Sequence, residues 1–159
     1  MSLSLKKEKM VEFLEAAKFE GENFKCMLWG TVIADLPVIK NRTAVSVIMQ
    51  FTAAPGAAAT MNNAFCYIGL TEMSLYVAAV DSYNTSKVIG TFMLPLAKIT
   101  SLKIRKALFG SSHTVELECE GFISLTVKST SLGTDIKDQK ERMEYFLAEM
   151  ETLKNSVPG

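Results

Sequence analysis

The sequence predicts a mainly β domain: a strongly curved antiparallel sheet or barrel of seven strands, with a C-terminal helix over one open end and a further helix before the first strand. Three observations lead there. Outside the segment Leu36–Asn63, the stretch from Phe24 to Ser129 reads as short strand-like runs, and in Ile99–Lys106 and His113–Ser129 apolar and polar residues alternate with the period of two that sends successive side chains to opposite faces of a strand. The alternating runs are short and follow one another across tight turns, as hairpin-linked strands do. At both ends of the chain the apolar period lengthens to that of a helix.

Leu5 to Phe19 reads as the first helix, with Met10, Phe13, Leu14 and Ala17 on one face, Ser4 as its N-cap and Gly21 as its stop. Phe24 to Ala34 reads as the first strand, with Phe24, Cys26 and Leu28 on one face and Trp29 on the other, the outer face, under the N-terminal helix. Leu36 to Asn63 is the least legible part. It holds one strand candidate, Ala44–Phe51, and a turn at Pro55-Gly56, and no acidic residue occurs between Asp35 and Glu72. Then come Ala64–Leu70 and Ser74–Val80, a hairpin closed by Thr71-Glu72-Met73, and Val88–Leu94, ended by Pro95. Ile99–Lys106, His113–Glu120 and Phe122–Ser129 complete the seven, the last two turning at Gly121. The final helix is expected from Thr134 or Asp135 to about Lys154. Ile136, Met143, Phe146, Leu147, Met150 and Leu153 form its apolar stripe, and Asp135 and Asp138 lie in the first turn, where the helix dipole favours anions.

With 159 residues the chain is one domain by length, large enough to bury its own core. The 17 basic residues balance the 17 acidic ones, so the net charge is zero and nucleic acid is not an expected partner, since that affinity rests on phosphate neutralisation. The three cysteines, Cys26, Cys66 and Cys119, are widely spaced among apolar neighbours, and His113 is the single histidine. No metal site and no cofactor is expected, and the thiols read as buried in a reducing, cytoplasmic setting. No apolar region follows the charged residues Lys6–Lys9, so no secretory signal is read. The longest uncharged run, Thr43–Thr71, is broken by Gln50, Pro55, Gly56, Asn62 and Asn63, too often for a helix that spans a bilayer.

Three stretches resemble bacterial pleckstrin-homology (PH-like) domains: the hairpin GLTEMSLYV, the strand LPLAKITSLKIRKALFG, and TVELECEGFISLTVKS followed by the terminal helix. The resemblance covers about residues 22–154, with residues 1–21 as a helical extension, 36–63 as an insertion in the first hairpin and 155–159 as a tail. It implies a PH-like fold, no catalytic activity, and an edge of the barrel at the insertion that often meets ligands. Some phosphoinositide-binding PH domains carry a pattern of a lysine followed, after a gap, by two basic residues flanking one other. Lys25 with Lys40-Asn41-Arg42 matches it, and so does Lys98 with Lys103-Ile104-Arg105. A pattern met twice in a neutral chain discriminates little.

The stretch KITSLKIRKALFGSSHTVELECE, Lys98–Glu120, starts basic and ends acidic. Parity puts Leu102 and Ile104 on the inner face with Val115, Leu117 and Cys119, and puts Lys103, Arg105, Thr114, Glu116, Glu118 and Glu120 on the outer one. A turn near Gly110-Ser111 would set Arg105 opposite Glu116 and Lys103 opposite Glu118, an ordinary charge-paired face. Lys98 and Lys106 keep no assigned partner and remain candidates for a docking site together with Lys103 and Arg105. The other constellations are weaker. Ser111, Ser112 and His113 are sequence neighbours, poorly placed as nucleophile and base, and no phosphate-cradling glycine loop occurs.

The expected function is therefore a non-enzymatic interaction module that binds protein partners, or copies of itself as a homo-oligomer, through a sheet edge and the insertion. Trp29, Ile48, Met49 and Phe51 are its interface candidates. The alternative is a peripheral module that binds anionic lipid headgroups on a membrane surface through Lys40 and Arg42.

Overall fold

The alternating runs form strands β1 (Cys26–Asp35), β2 (Ile48–Gln50), β3 (Thr60–Leu70), β4 (Ser74–Val80), β5 (Val88–Pro95), β6 (Ser101–Lys106), β7 (His113–Glu118) and β8 (Phe122–Val127). Helix α1 (Lys7–Ala17) precedes them and α2 (Gln139–Ser156) follows. The structure is a computed structural model, and it describes residues 5–35, 48–50, 60–108, 112–119, 121–131 and 133–157, with only the backbone at 48–50 and 60–62. All strand pairs are antiparallel, in the order β2-β5-β4-β3-β1-β8-β7-β6. The seven strands expected from the sequence are all present and form the curved, helix-capped, PH-like sheet. The short β2 is an addition to them, supplied by the insertion.

Several boundaries differ from expectation. The strand after the insertion begins at Thr60 rather than Ala64, because Thr60 and Met61 still pair with Asp35 and Ala34 beyond an irregularity between Val32 and Ala34. Asn63 sits in this stretch with a φ of 58°, a conformation that asparagine tolerates better than most residues. Of the candidate Ala44–Phe51, the described part is Ile48–Gln50, paired with Thr91–Met93 at the sheet edge. Phe24 is not in β1. It precedes the strand and joins the outer cluster, its ring edge-on to Tyr76 with centroids 5.7 Å apart.

The sheet buries both faces. Its concave face encloses Leu28, Val32, Ile68, Val77, Phe92, Val115 and Leu125 against Met143, Phe146 and Met150 of α2. Its convex face, over β1, β3 and β4, is covered by Leu5, Met10 and Leu14, which pack on Trp29, Tyr67, Tyr76 and Ala78. This explains why SLYVAAV is apolar at nearly every position. β4 is buried along its whole length, Leu75, Val77 and Ala79 inside the sheet and Tyr76, Ala78 and Val80 beneath the N-terminal segment. Gly69 lies where the Phe24 ring packs against the strand, so that a Cβ there would force the ring to shift.

Helix α1 is fixed at both ends by groups distant in sequence. Its N-cap position, Lys6, has no side-chain cap, and Ser4 lies outside the described residues. The backbone N–H of Lys7 instead donates to the Asp135 carboxylate at 2.6 Å, and that of Lys6 to the Tyr67 hydroxyl at 3.1 Å. Leu5 forms a parallel bridge with Thr134. That bridge explains why α2 starts at Gln139 and not at Thr134 or Asp135: Thr134 bridges to Leu5, the Asp135 N–H donates to the Leu5 carbonyl, and the Asp135 charge serves the first turn of α1. Ile136 accordingly packs in the outer cluster, away from the α2 stripe. Past the other end of α1, the Phe19 N–H donates to the Tyr76 hydroxyl, which donates to Glu22 at 2.6 Å, and the Thr71 hydroxyl donates to the same carboxylate at 2.5 Å.

Where β8 ends at Val127, a side chain continues the pairing of β1. Gln139, fully buried, donates its amide to the carbonyls of Trp29 and Lys128, 2.9 Å each, and its oxygen accepts the Trp29 N–H at 3.4 Å. Replacing Gln139 with Leu keeps the bulk and orphans buried backbone groups, so a loss of about 2–4 kcal/mol in urea-unfolding stability is expected. A loss under about 1 kcal/mol would show that these bonds do not hold the junction.

Burial pushes the Glu22 carboxyl up, but the hydrogen bonds from Thr71, Tyr76 and Ser74 and the nearby Lys18 charge outweigh it and leave the group below its ordinary 4.5. A carboxyl lowered by folding contributes stability that is present above its ordinary value and lost as pH falls through the folded one. Docking of α1, followed by the fluorescence of the single tryptophan beneath it, is thus expected to weaken in acid below about pH 4.5. Glu22→Gln is expected to remove that part of the acid transition; an unchanged transition would assign it to other carboxyls.

Candidate interaction surface

β6 is the last strand of the sheet. It pairs with β7 on one side, and no described strand lies on the other. Leu102 is buried, Ile104 partly so, and Lys103, Arg105 and Lys106 are exposed. The inward and outward parity expected from the sequence holds for β6 and β7. The register differs by two residues: Lys103 stands opposite Glu116, Ser101 opposite Glu118 and Arg105 opposite Thr114. The reason lies at the turn, where Ala107 donates to the Ser112 carbonyl, so that the loop closes on a longer connection than a turn at Gly110-Ser111 gives. One expected ion pair survives as a diagonal contact, Arg105 Nε to Glu116 Oε1 at 3.3 Å, with the arginine side chain 64% exposed. Such a pair contributes at most about 1 kcal/mol and neutralises one charge.

The same bond defines the free edge. In an antiparallel ladder alternate residues bond to a given neighbour. With Ala107 bonded to β7, the residues sharing its phase are Arg105, Lys103 and Ser101. The intervening Leu102, Ile104 and Lys106 therefore aim their N–H and C=O groups away from β7, at the open edge. The sequence reading singled out the charges on this strand and missed these backbone groups. The alternation of KIRK was their signal, but only the sheet order shows which strand is terminal.

Lys98, in the 3-10 turn Leu96–Lys98, is exposed just before the strand. Among the described residues Lys98, Lys103 and Lys106 form no ion pair. Beyond Lys106 the hairpin presents Leu108, 94% exposed. The four basic candidates of this stretch thus lie along or beside one edge, while Lys40, Arg42 and Phe51 lie outside the described residues. Ile48 and Met49 occupy register positions opposite Met93 and Phe92 at the other end of the sheet. Trp29 is 4% exposed within the outer cluster, the packing position its parity indicated; its indole N–H has no hydrogen-bond partner.

Other chemistry is sparse. His113 stands opposite Lys106 with its Nδ1 buried and unpartnered, and no carboxylate pairs with it among the described residues. No cluster of described residues could hold a metal ion, and no described helix is long and apolar enough to cross a membrane. Burial pushes the Cys26 thiol up to about 12 and the Cys66 thiol up as well, which leaves both unreactive near neutral pH. A cleft of about 210 Å³ lies between the end of α2 and the β3–β4 turn, with Leu70, Leu96, Met150 and Leu153 among its lining. Its cation, Lys25, is already held by Glu149 at 3.0 Å and Glu72 at 3.5 Å, and the Glu149 hydrogen bond raises the ammonium above its ordinary value.

No protein-family model matches the chain, and no curated protein matches it. Among solved structures the chain is similar to the hSac2 domain of the human phosphoinositide phosphatase Sac2, at 14% identity, over 96% of this chain and 82% of that one, with a TM-score of 0.49. A similarity at that level carries no argument about activity or ligand.

Proposed function

We propose that this chain is a non-enzymatic module of the PH-like class, akin to the bacterial PH domains, that binds an extended segment of a protein partner as an added strand on β6. The observation that carries the proposal is the open edge itself: three alternate residues, Leu102, Ile104 and Lys106, whose backbone groups face the edge with no described strand beyond them. Main-chain bonds to such an edge supply affinity, and the flanking side chains supply selection.

The test uses the backbone. Lys106→Pro removes a donor at the open edge without removing a bond from the β6–β7 ladder, a position where strands accept proline. Peptides enriched from an unbiased linear library are expected to shift the amide resonances of Leu102, Ile104 and Lys106, and to lose most of their affinity for the proline variant. Peptides that shift another surface, or bind the variant equally, would overturn the proposal.

Leu108 favours a second reading, an anionic lipid surface, because an exposed leucine lies two residues beyond Arg105-Lys106. Co-sedimentation with phosphatidylserine vesicles that is absent with phosphatidylcholine and lost in Leu108→Asp would replace strand addition by this reading. Absence of sedimentation at low and physiological salt would exclude it.

A further inference from the structure

We infer that the strand received by the β6 edge is an acidic segment of another protein, rather than a second copy of this chain or its own insertion. The inference rests on the strand-addition reading and adds the partner's chemistry to it. Lys98, Lys103, Arg105 and Lys106 flank the edge, and of the two described carboxylates on the neighbouring strand β7, Glu116 is engaged by Arg105 while Glu118 stands opposite Ser101. The edge therefore carries an excess of positive charge within a chain that is neutral overall.

That charge excludes self-pairing by register. Two β6 strands joined antiparallel must align residues whose backbone groups face the edge, Leu102, Ile104 and Lys106, with one another, which leaves three registers of substantial overlap. One sets Lys103 opposite Arg105 of the second copy, twice; one sets Lys103 opposite Lys103; one sets Arg105 opposite Arg105. Like charges directly opposite one another destabilise a strand pair. The insertion is no better suited, for residues 36–59 contain no Asp or Glu and include Lys40 and Arg42. An incoming strand with acidic residues at alternate positions places them on the same outward face as Lys103 and Arg105, directly opposite or on the diagonal, where each opposite-charge pair is favourable.

The experiment titrates the isotope-labelled full chain with three capped peptides of about eight residues, alternating Glu–Thr, Lys–Thr and Ser–Thr, and follows the β6 amides. The Glu–Thr peptide is expected to bind at least about tenfold more tightly than the Lys–Thr peptide, with an affinity that falls as salt rises. In Lys103→Glu/Arg105→Glu the order should reverse. The neutral Lys103→Thr/Arg105→Thr variant, which keeps good strand formers, should bind all three alike. Equal binding of the three peptides by the unmodified chain at Leu102, Ile104 and Lys106 would overturn the charge selection and leave strand addition standing. No shift of these amides with any peptide would overturn both. Dimerisation of the free chain that Lys106→Pro abolishes would overturn the exclusion of a second copy.

Discussion

The arrangement depends on how β1 is shared. Along its length it pairs with β3, and from Gly30 to Asp35 it pairs with β8 as well, so one strand joins the β2-β5-β4-β3 half of the sheet to the β8-β7-β6 half. At the crossing the β8 backbone comes so close that a Cβ on residue 30 would meet the Thr126 carbonyl oxygen at 2.5 Å. Glycine is therefore required there, and the two halves can curve toward one another. One residue earlier β8 has ended, and the buried Gln139 amide takes over its bonds to β1. Because Gln139 opens α2, the same contact sets where the capping helix begins, and α2 then packs against both β1 and β6.

The fold was largely legible because its strands bury one or both faces in a regular way. Short apolar or alternating runs bounded by turns located all seven main strands, and helical stripes located both helices. What was not legible depends on partners distant in sequence. Asp135 looks like a first-turn residue of the helix that follows it, and 128 residues separate it from the N–H it caps. Thr60–Asn63 has no apolar alternation of its own and is a strand because Ala34 and Asp35 extend far enough to pair with it. Gln139 gives no sign in the sequence that a polar amide will be the most deeply placed group at the start of α2.

The charged hairpin separates two kinds of sequence information. Parity is set by which residues are apolar, since a slip of one residue would turn Leu102, Val115 and Leu117 outward. A slip of two preserves every face and alters only which charges are opposite, and it is decided by turn geometry. Lys103 and Arg105 were accordingly read correctly as outward-facing, while the pairing that neutralises them was overcounted. With Lys103 opposite Glu116 and that carboxylate engaged by Arg105, the strand retains more free positive charge than a neatly paired hairpin would.

Basic residues on a terminal strand have a double consequence. They are among the devices that keep exposed edges from pairing with their own kind, since each copy repels the next. The protection is selective, because it acts through charge and leaves the donors and acceptors of Leu102, Ile104 and Lys106 available. A proline or an outward bulge in β6 would close the edge to every strand alike, and the described β6–β7 register runs without interruption from Ser101 to Lys106. On the proposed reading, an edge closed to itself by charge and left open in its backbone would discriminate among partners, and the sign it rejects would fix the sign it accepts.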